Sequence, residues 1–282
     1  MSAGQALAGT QGSPGADISI DEFLGGAVEA VQKRSGHHRA GLEAVLLGAS
    51  LSADFSGLAL DLGAGAGVAG FCLAARARNA HLVLVEREAM LIDCARAALL
   101  RPKNAAFASR VKLLCADMSA PNLALPPADI ILMNPPFHHR QGASPPKGEA
   151  RGRAHLLEEE GLGLWFRAAA ALLRPGGTLI GIFRADALGE ILAASENRFG
   201  GLVLLPIHPR TGQDAHRLML RAIKGSRARL RLIPGLSLHE GEGNAYRSAV
   251  ESILRHGAPI EHAAPLWREA AIEGRGEAKT DG

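Results

Sequence analysis

The sequence predicts a doubly wound α/β fold: a seven-stranded, mostly parallel sheet whose last strand runs antiparallel. Three observations carry this expectation. Short apolar runs of strand type alternate with Ala-rich or periodic stretches of helical length, which implies parallel strands covered by helices on both faces. The last two apolar runs are separated by only nine residues, His208 to His216, too few for the right-handed helical crossover that parallel neighbours need. The first run ends in Gly63-Ala64-Gly65-Ala66-Gly67, a glycine turn into a helix at the carboxyl edge of the sheet, where ligands bind in this architecture.

The bulk properties fit such a fold. With 282 residues, 47% of them hydrophobic and 21% charged, the chain can bury a full core and is not a disordered polymer. Lys+Arg outnumber Asp+Glu by only 31 to 28, so the placement of the cations matters more than their total. Cys72, Cys94 and Cys115 are odd in number and form no Cys-x-x-Cys pair, which argues against a disulfide framework or a zinc site and for a reducing compartment. Residues 1–17 lack the basic and apolar regions of a secretory signal. No run reaches the roughly 18 apolar residues of a membrane span, so a cytoplasmic location is expected.

In chain order, residues 1–17 and 263–282 read as flexible tails. Residues 18–56 read as N-terminal helices, at Asp21 to Gln32 and Gly41 to Ser50, the second with Leu42, Val45, Leu46 and Ala49 on one face. Residues 57–262 form the main domain. Its strands fall at Leu58 to Leu62, His81 to Glu86, Val111 to Asp117, Asp129 to Asn134, Thr178 to Phe183, Leu202 to Ile207 and Arg217 to Ile223. Helices are expected at Gly67 to Arg78, Glu88 to Leu100, Glu158 to Leu173 and Asp186 to Arg198.

Polar residues mark successive strand ends. Asp61 precedes the glycines Gly63, Gly65 and Gly67; Glu86 ends the second strand, Asp117 the third and Asn134 the fourth. This crevice of acceptors fits S-adenosylmethionine (SAM): Asp61 for its ammonium, directly or through water, Glu86 for the ribose hydroxyls, Asp117 with the Met118 backbone for the adenine edge. Gly65 to Gly70 also matches the Gly-x-Gly-x-x-Gly of dinucleotide folds. A dinucleotide site explains neither Asp61 nor the tetrapeptide at the fourth strand end, so SAM is expected and NAD is not.

That tetrapeptide, Asn134-Pro135-Pro136-Phe137, makes a stiff turn in which neither proline supplies an N–H. An amine conjugated to a ring or carbonyl is a poor nucleophile because its lone pair is delocalised. If the Asn134 side-chain oxygen and the Pro135 carbonyl each accept one N–H, the amine can pyramidalise and aim its lone pair at a methyl donor, with positioning and electrostatics driving transfer. Phe137 offers a stacking face for a planar target. The pairs His37, His38 and His138, His139 lack Cys or carboxylate at ligand spacing, so they read as solvated loop histidines and no metal is expected.

Together these residues resemble the SAM-dependent methyltransferase family that includes the methylase of N6 of the adenine immediately 3′ of the anticodon in bacterial valine tRNA. The resemblance covers roughly residues 20–260. It rests on Arg39 to Leu47, the Asp61 to Gly67 turn, Asn134 to Phe137, Leu173-Arg174-Pro175-Gly176-Gly177, Pro206 to Arg210 and Lys224 to Arg229. It implies a class I, Rossmann-like methyltransferase acting in tRNA processing. The family often has Tyr-Phe where this chain has Phe137-His138. Asn-Pro-Pro-Phe-His also looks like the motif of ribosomal RNA guanine-N2 methylases, so both bases stay open. Protein-glutamine methylases share Asn-Pro-Pro but usually carry a longer N-terminal domain. Small-molecule acceptors, and a non-catalytic SAM- or RNA-binding module, complete the alternatives; retention of Asn134 and both prolines argues against the module.

An RNA partner is supported by Arg210, Arg217, Arg221, Lys224, Arg227, Arg229 and Arg231, faced by one acid, Asp214, between Pro206 and His239. Arg227, Arg229 and Arg231 are spaced by two, so an extended chain puts them on one face and Ala228, Leu230 and Leu232 on the other. With Lys224 they make a candidate phosphate track beside the carboxyl edge; a solvated strand face is the competing reading.

Overall fold

The computed structural model describes residues 17–35, 39–120, 123–136 and 161–268. Where the sequence suggests a helix over Asp21 to Gln32, the chain forms an antiparallel hairpin of β1 (Ile18–Phe23) and β2 (Val28–Lys33), with Phe23 opposite Val28. The reason lies in the turn. Leu24, Gly25 and Gly26 all have positive φ, which ends any helix there, and β1 alternates exposed and half-buried side chains with the period of a strand. The hairpin is anchored through β2: the Asn104 side chain bonds both the N–H and the carbonyl of Glu29, and Arg101 pairs with the Glu29 carboxylate at 2.8 Å. The expected second segment is helical, α1 (Leu42–Gly48), and buries Val45, Leu46 and Leu47.

The sheet is mostly parallel. β3 (Ser56–Leu62) lies between β4 (Asn79–Glu86) and β6 (Ala128–Met133), with β5 (Val111–Cys115) outside β4. β7 (Leu173–Arg184) continues the parallel set beyond β6. β9 (Arg217–Lys224) inserts antiparallel between β7 and β8 (Phe199–Arg210), as the short connection requires. Seven strands are expected from the sequence, and among the described residues the sheet has nine. The additional two, β10 (Arg231–Leu232) and β11 (Leu236–His239), run parallel along the outer side of β8; at two and four residues they are too short to show a strand period.

Alternation along β4 shows how the layers form. Leu82 and Leu84 join the cluster under α1, α2 (Val68–Arg76), α3 (Ala89–Leu99) and α7 (Ser248–His256). Val83 and Val85 join the cluster under α5 (Leu162–Leu172) and α6 (Leu188–Ser195). A short α4 (Ala105–Ala108) precedes β5. Beyond residue 262, where a flexible tail is expected, the chain is still packed: Trp267 is buried, donates from its indole to the Ser50 carbonyl at 2.9 Å and accepts at its own carbonyl from Arg221. An aromatic ring that finds a groove and a hydrogen-bond partner extends the ordered chain at least that far. Among the described residues, no helix is long and apolar enough to cross a membrane.

Candidate active site

β3, β4 and β6 run parallel, so their final residues share one edge. Asp61 sits in β3 level with Leu84 of β4 and Leu132 of β6; Glu86 ends β4, and Asn134 follows β6 directly. Asp117 lies two residues past β5 rather than at its last residue. Among the described residues the edge thus collects three carboxylates and one side-chain amide.

Each carboxylate is held by backbone donors. Asp61 is 3% exposed, and its Oδ2 accepts the Gly70 N–H at 2.9 Å. Gly70 lies in the first turn of α2, where N–H groups lack helical partners, and a Cβ there would come within 3.2 Å of that oxygen. Burial pushes the Asp61 carboxyl up to about 7, against the Gly70 hydrogen bond and with a further push from the Glu86 charge. Glu86 is 8% exposed; its Oε2 accepts the Gly65 N–H at 2.9 Å and its Oε1 the Glu88 N–H at 3.0 Å. Asp117 is exposed and closes a local turn, accepting the Ser119 hydroxyl at 2.6 Å and the Ser119 N–H at 2.8 Å. Those two bonds, the hydroxyl first, hold its carboxyl below its ordinary value.

The glycine turn lies against these acids. Gly63, Gly65 and Gly67 all have positive φ, and Gly63 and Ala64 donate to the Val85 carbonyl at the end of β4. At Gly65 an added Cβ would meet nothing within 4 Å, so the turn is open on that side. At Gly63 the equivalent volume is taken by the Trp165 indole, 2.4 Å from where a Cβ would stand.

This electrostatic pattern selects the class of ligand. A pyrophosphate at a glycine turn binds free N–H groups and the positive end of the following helix. Here the Gly65 and Gly70 N–H groups already serve carboxylates, so a dianion would meet two acids. A ligand carrying ammonium and sulfonium charge suits the same crevice. Asp61, Glu86 and the open Gly65 can hold such a group, with Asp117 and Met118 next along the edge.

Asn134 is the complementary feature. Its Oδ1 is buried and makes no hydrogen bond to any described residue. A buried carbonyl oxygen without a donor is costly, so an orphan on a turn beside the crevice marks a place for an incoming N–H. Pro135 is buried and Pro136 exposed. Phe137, His138 and His139 lie outside the described residues, as do His37 and His38. No group of His, Cys, Asp or Glu able to hold a metal occurs among the described residues.

The cationic row is elsewhere. Because β9 runs antiparallel to β7, its last residue Lys224 lies at the amino edge of the sheet, where its Nζ donates to the Leu173 carbonyl at 2.6 Å. Arg231 is level with Val203 in the middle of β8, and the Ala228 carbonyl bonds Gly201 nearer its start. Through Val203, Arg221, Ile180 and Leu132, Arg231 is level with Asp61, and Arg227 lies a few residues nearer the amino edge. The row is separated from the crevice sideways, by on the order of 20 Å across β7, β9 and β8 at about 4.8 Å per strand. The expected two-face split also fails: Arg227 and Arg229 are exposed, but so are Leu230 and Leu232, while Arg231 is half-buried, because the segment is paired to β8 on one side only. Arg221 is buried beneath Trp267, 5.8 Å from its ring. Trp165 escapes sequence reasoning altogether; within an apolar helix nothing separates it from core residues.

Comparison with known proteins agrees with this geometry. Residues 39–188 match the family described as Methyltransferase small domain. A structure described as a predicted O-methyltransferase from Agrobacterium tumefaciens is 36% identical, covering 77% of this chain and 97% of its own, with a TM-score of 0.64. A 16S rRNA N2 methyltransferase from T. thermophilus, solved with AdoMet and guanosine, is 23% identical over 73% of this chain and 50% of its own, with a TM-score of 0.53. A class I S-adenosylmethionine-dependent methyltransferase structure from Listeria monocytogenes is 18% identical over 72% of this chain and 69% of its own, with a TM-score of 0.50. No curated protein matches the sequence.

Proposed function

Because the chain belongs to the methyltransferase small-domain family and is a SAM-dependent methyltransferase, we propose that its acceptor is the exocyclic amine of an RNA base, adenine N6 beside the anticodon of a tRNA. The observation that carries this reading is the orphaned, buried Asn134 Oδ1 at the rim of the cofactor crevice. SAM supplies an electrophilic methyl group. Asp61 holds the ammonium, Glu86 the ribose hydroxyls and Asp117 with the Met118 backbone the adenine edge. Both Glu86 oxygens keep a second acceptor site beyond the backbone bonds they make. Asn134 Oδ1 and the Pro135 carbonyl each accept one N–H of the acceptor amine, and this draws its lone pair out of conjugation. Phe137 stacks on the base.

An amine suits this turn better than a hydroxyl. A hydroxyl acceptor needs a neighbouring base for its proton, whereas Asn134 and Pro135 offer only neutral carbonyl oxygens. Guanine N2 in ribosomal RNA is the second reading, favoured by Asn134 to His138 and by the fold shared with the 16S rRNA enzyme. Nucleosides from a strain lacking the gene separate the two. Loss of N6-methyladenosine from tRNA supports the first, and loss of N2-methylguanosine from rRNA the second. Unchanged nucleosides point to a protein or small-molecule acceptor.

The position of Arg227, Arg229 and Arg231 adds a condition. If they bind phosphates, the substrate must reach on the order of 20 Å from the target amine across the sheet to its β8 side, which a folded RNA does and a mononucleotide does not. Replacing all three by Ser is expected to weaken tRNA binding and to lower the slope of log affinity against log salt by about 0.7 to 0.9 for each phosphate no longer neutralised, with SAM affinity unchanged. An intact salt slope would make the row a solvated edge.

A further inference from the structure

Trp165 is one of only two tryptophans in the chain, and its ring meets the cofactor turn. Gly63 has φ of 64°, and the volume a side chain would fill there is occupied by the indole, with two ring carbons at 2.4 and 3.0 Å from the ideal Cβ position. Gly65, two residues on, faces open space. One glycine of the turn is therefore set by a ring of the protein, and the next is left for a ligand. Trp165 lies in the first two turns of α5, half-buried against the apolar layer that contains Leu62, Val85 and Met133. Its neighbours Leu164 and Ala168 line a cavity of about 400 Å³ with Met118 and Leu123. Helix α5 thus meets the Gly63 turn and shares a cavity with the residues that follow Asp117.

We propose that Trp165 is a positioning residue that holds the Gly63–Gly65 turn in its SAM-accepting form. The inference rests on the reading that the Asp61–Gly67 turn is the cofactor site. The ring acts through the backbone: it blocks the rotation that would move Gly63 into the space beneath it, and so keeps the Gly65 N–H on Glu86 and the open side of the turn toward the crevice. The binding free energy spent on ordering a mobile turn is saved when the turn is ordered beforehand.

The test compares wild type with Trp165→Phe and Trp165→Ala, using calorimetry with SAM and with its demethylated product, steady-state kinetics and tryptophan fluorescence. Trp165→Ala is expected to weaken cofactor binding by about tenfold or more with kcat at saturating SAM little changed, and Trp165→Phe to recover most of the affinity. The product should shift the fluorescence of the wild type and not that of Trp165→Phe, because the remaining Trp267 is buried between Ser50 and Arg221. Should Trp165→Ala not fold, Trp165→Leu takes its place in the affinity comparison and Trp165→Phe is still read by fluorescence. Wild-type affinity in every folded variant with an unchanged fluorescence shift, or a loss confined to kcat, overturns the inference. A Trp165 set that behaves as expected while Asp61→Ala binds SAM normally would instead contradict the assignment of the cofactor site.

Discussion

Asn134→Ala is expected to lower turnover by about 10² to 10³-fold while SAM affinity stays within a small factor of wild type. The expectation follows from the state of the Asn134 oxygen, which is buried, lacks a partner among the described residues and sits where the β6 strand gives way to a turn that cannot donate from either proline. An acceptor fixed before the substrate arrives needs no reorganisation at the moment of reaction, and removing one such preorganised partner costs on the order of 10² to 10³ in rate. The alanine variant also removes an unsatisfied buried polar atom, so its unfolding midpoint should equal or exceed that of wild type. Loss of activity with retained stability and retained SAM binding is the signature that separates a role in transfer from a role in folding. An active Asn134→Ala enzyme would place the chemistry at another residue.

The second large effect is at Asp61. Asp61→Asn is expected to weaken SAM binding by about 10² to 10³-fold, the range for removing one partner of a buried charge pair, and at the same time to stabilise the ligand-free protein. Asparagine keeps an oxygen for the Gly70 N–H and discards the buried charge. The pH dependence gives the sign. Burial, opposed by the Gly70 bond and reinforced by Glu86, raises the Asp61 carboxyl from 3.8 to about 7, so the native state binds more protons than the unfolded chain between those values. This group's contribution to stability therefore falls as pH rises from about 4 to about 7, and above that the cost reaches on the order of 4 kcal/mol. Asp117, Asp129 and Asp186 are shifted downward and act in the opposite direction, losing stabilisation in acid. The difference between wild type and Asp61→Asn isolates the Asp61 contribution: denaturant titrations of the two should converge below about pH 4 and diverge progressively up to about pH 7, the variant being more stable at pH 8. SAM affinity of wild type should rise with pH up to about 7, with proton release on binding visible as a buffer-dependent heat. A pH-independent affinity together with equal stabilities at pH 8 would mean that Asp61 is ionised and satisfied without the cofactor.

Much of this site is legible in the sequence because a parallel sheet converts sequence into position. Once Leu58 to Leu62, His81 to Glu86 and Asp129 to Asn134 are read as parallel neighbours, Asp61, Glu86 and Asn134 must share one edge, and they do. Features that depend on direction across the sheet are not legible in the same way. The cationic row is expected beside the crevice, but the antiparallel β9 carries Lys224 to the amino edge, and the pairing of the returning chain with β8 puts Arg227 to Arg231 on the outer side of the sheet, beyond β7, β9 and β8 from the crevice. The β1–β2 hairpin is masked by apolar spacing that suits a helix until the Gly25-Gly26 turn is given its weight. The tail expected from residue 263 reflects the polar residues that follow, not Trp267, whose ring finds its groove only in three dimensions. Trp165 has no local signal, since what distinguishes it is the absence of a side chain at Gly63, roughly a hundred residues earlier.

The most direct test of amine methylation at Asn134 is mass spectrometry of nucleosides after purified protein, methyl-deuterated SAM and RNA from a strain lacking the gene have been incubated together. Deuterium is expected in N6-methyladenosine from tRNA with the wild-type protein and in no nucleoside with Asn134→Ala. Deuterium on a ribose oxygen, in protein alone, or at equal levels with wild type and Asn134→Ala would contradict transfer to a base amine held by Asn134.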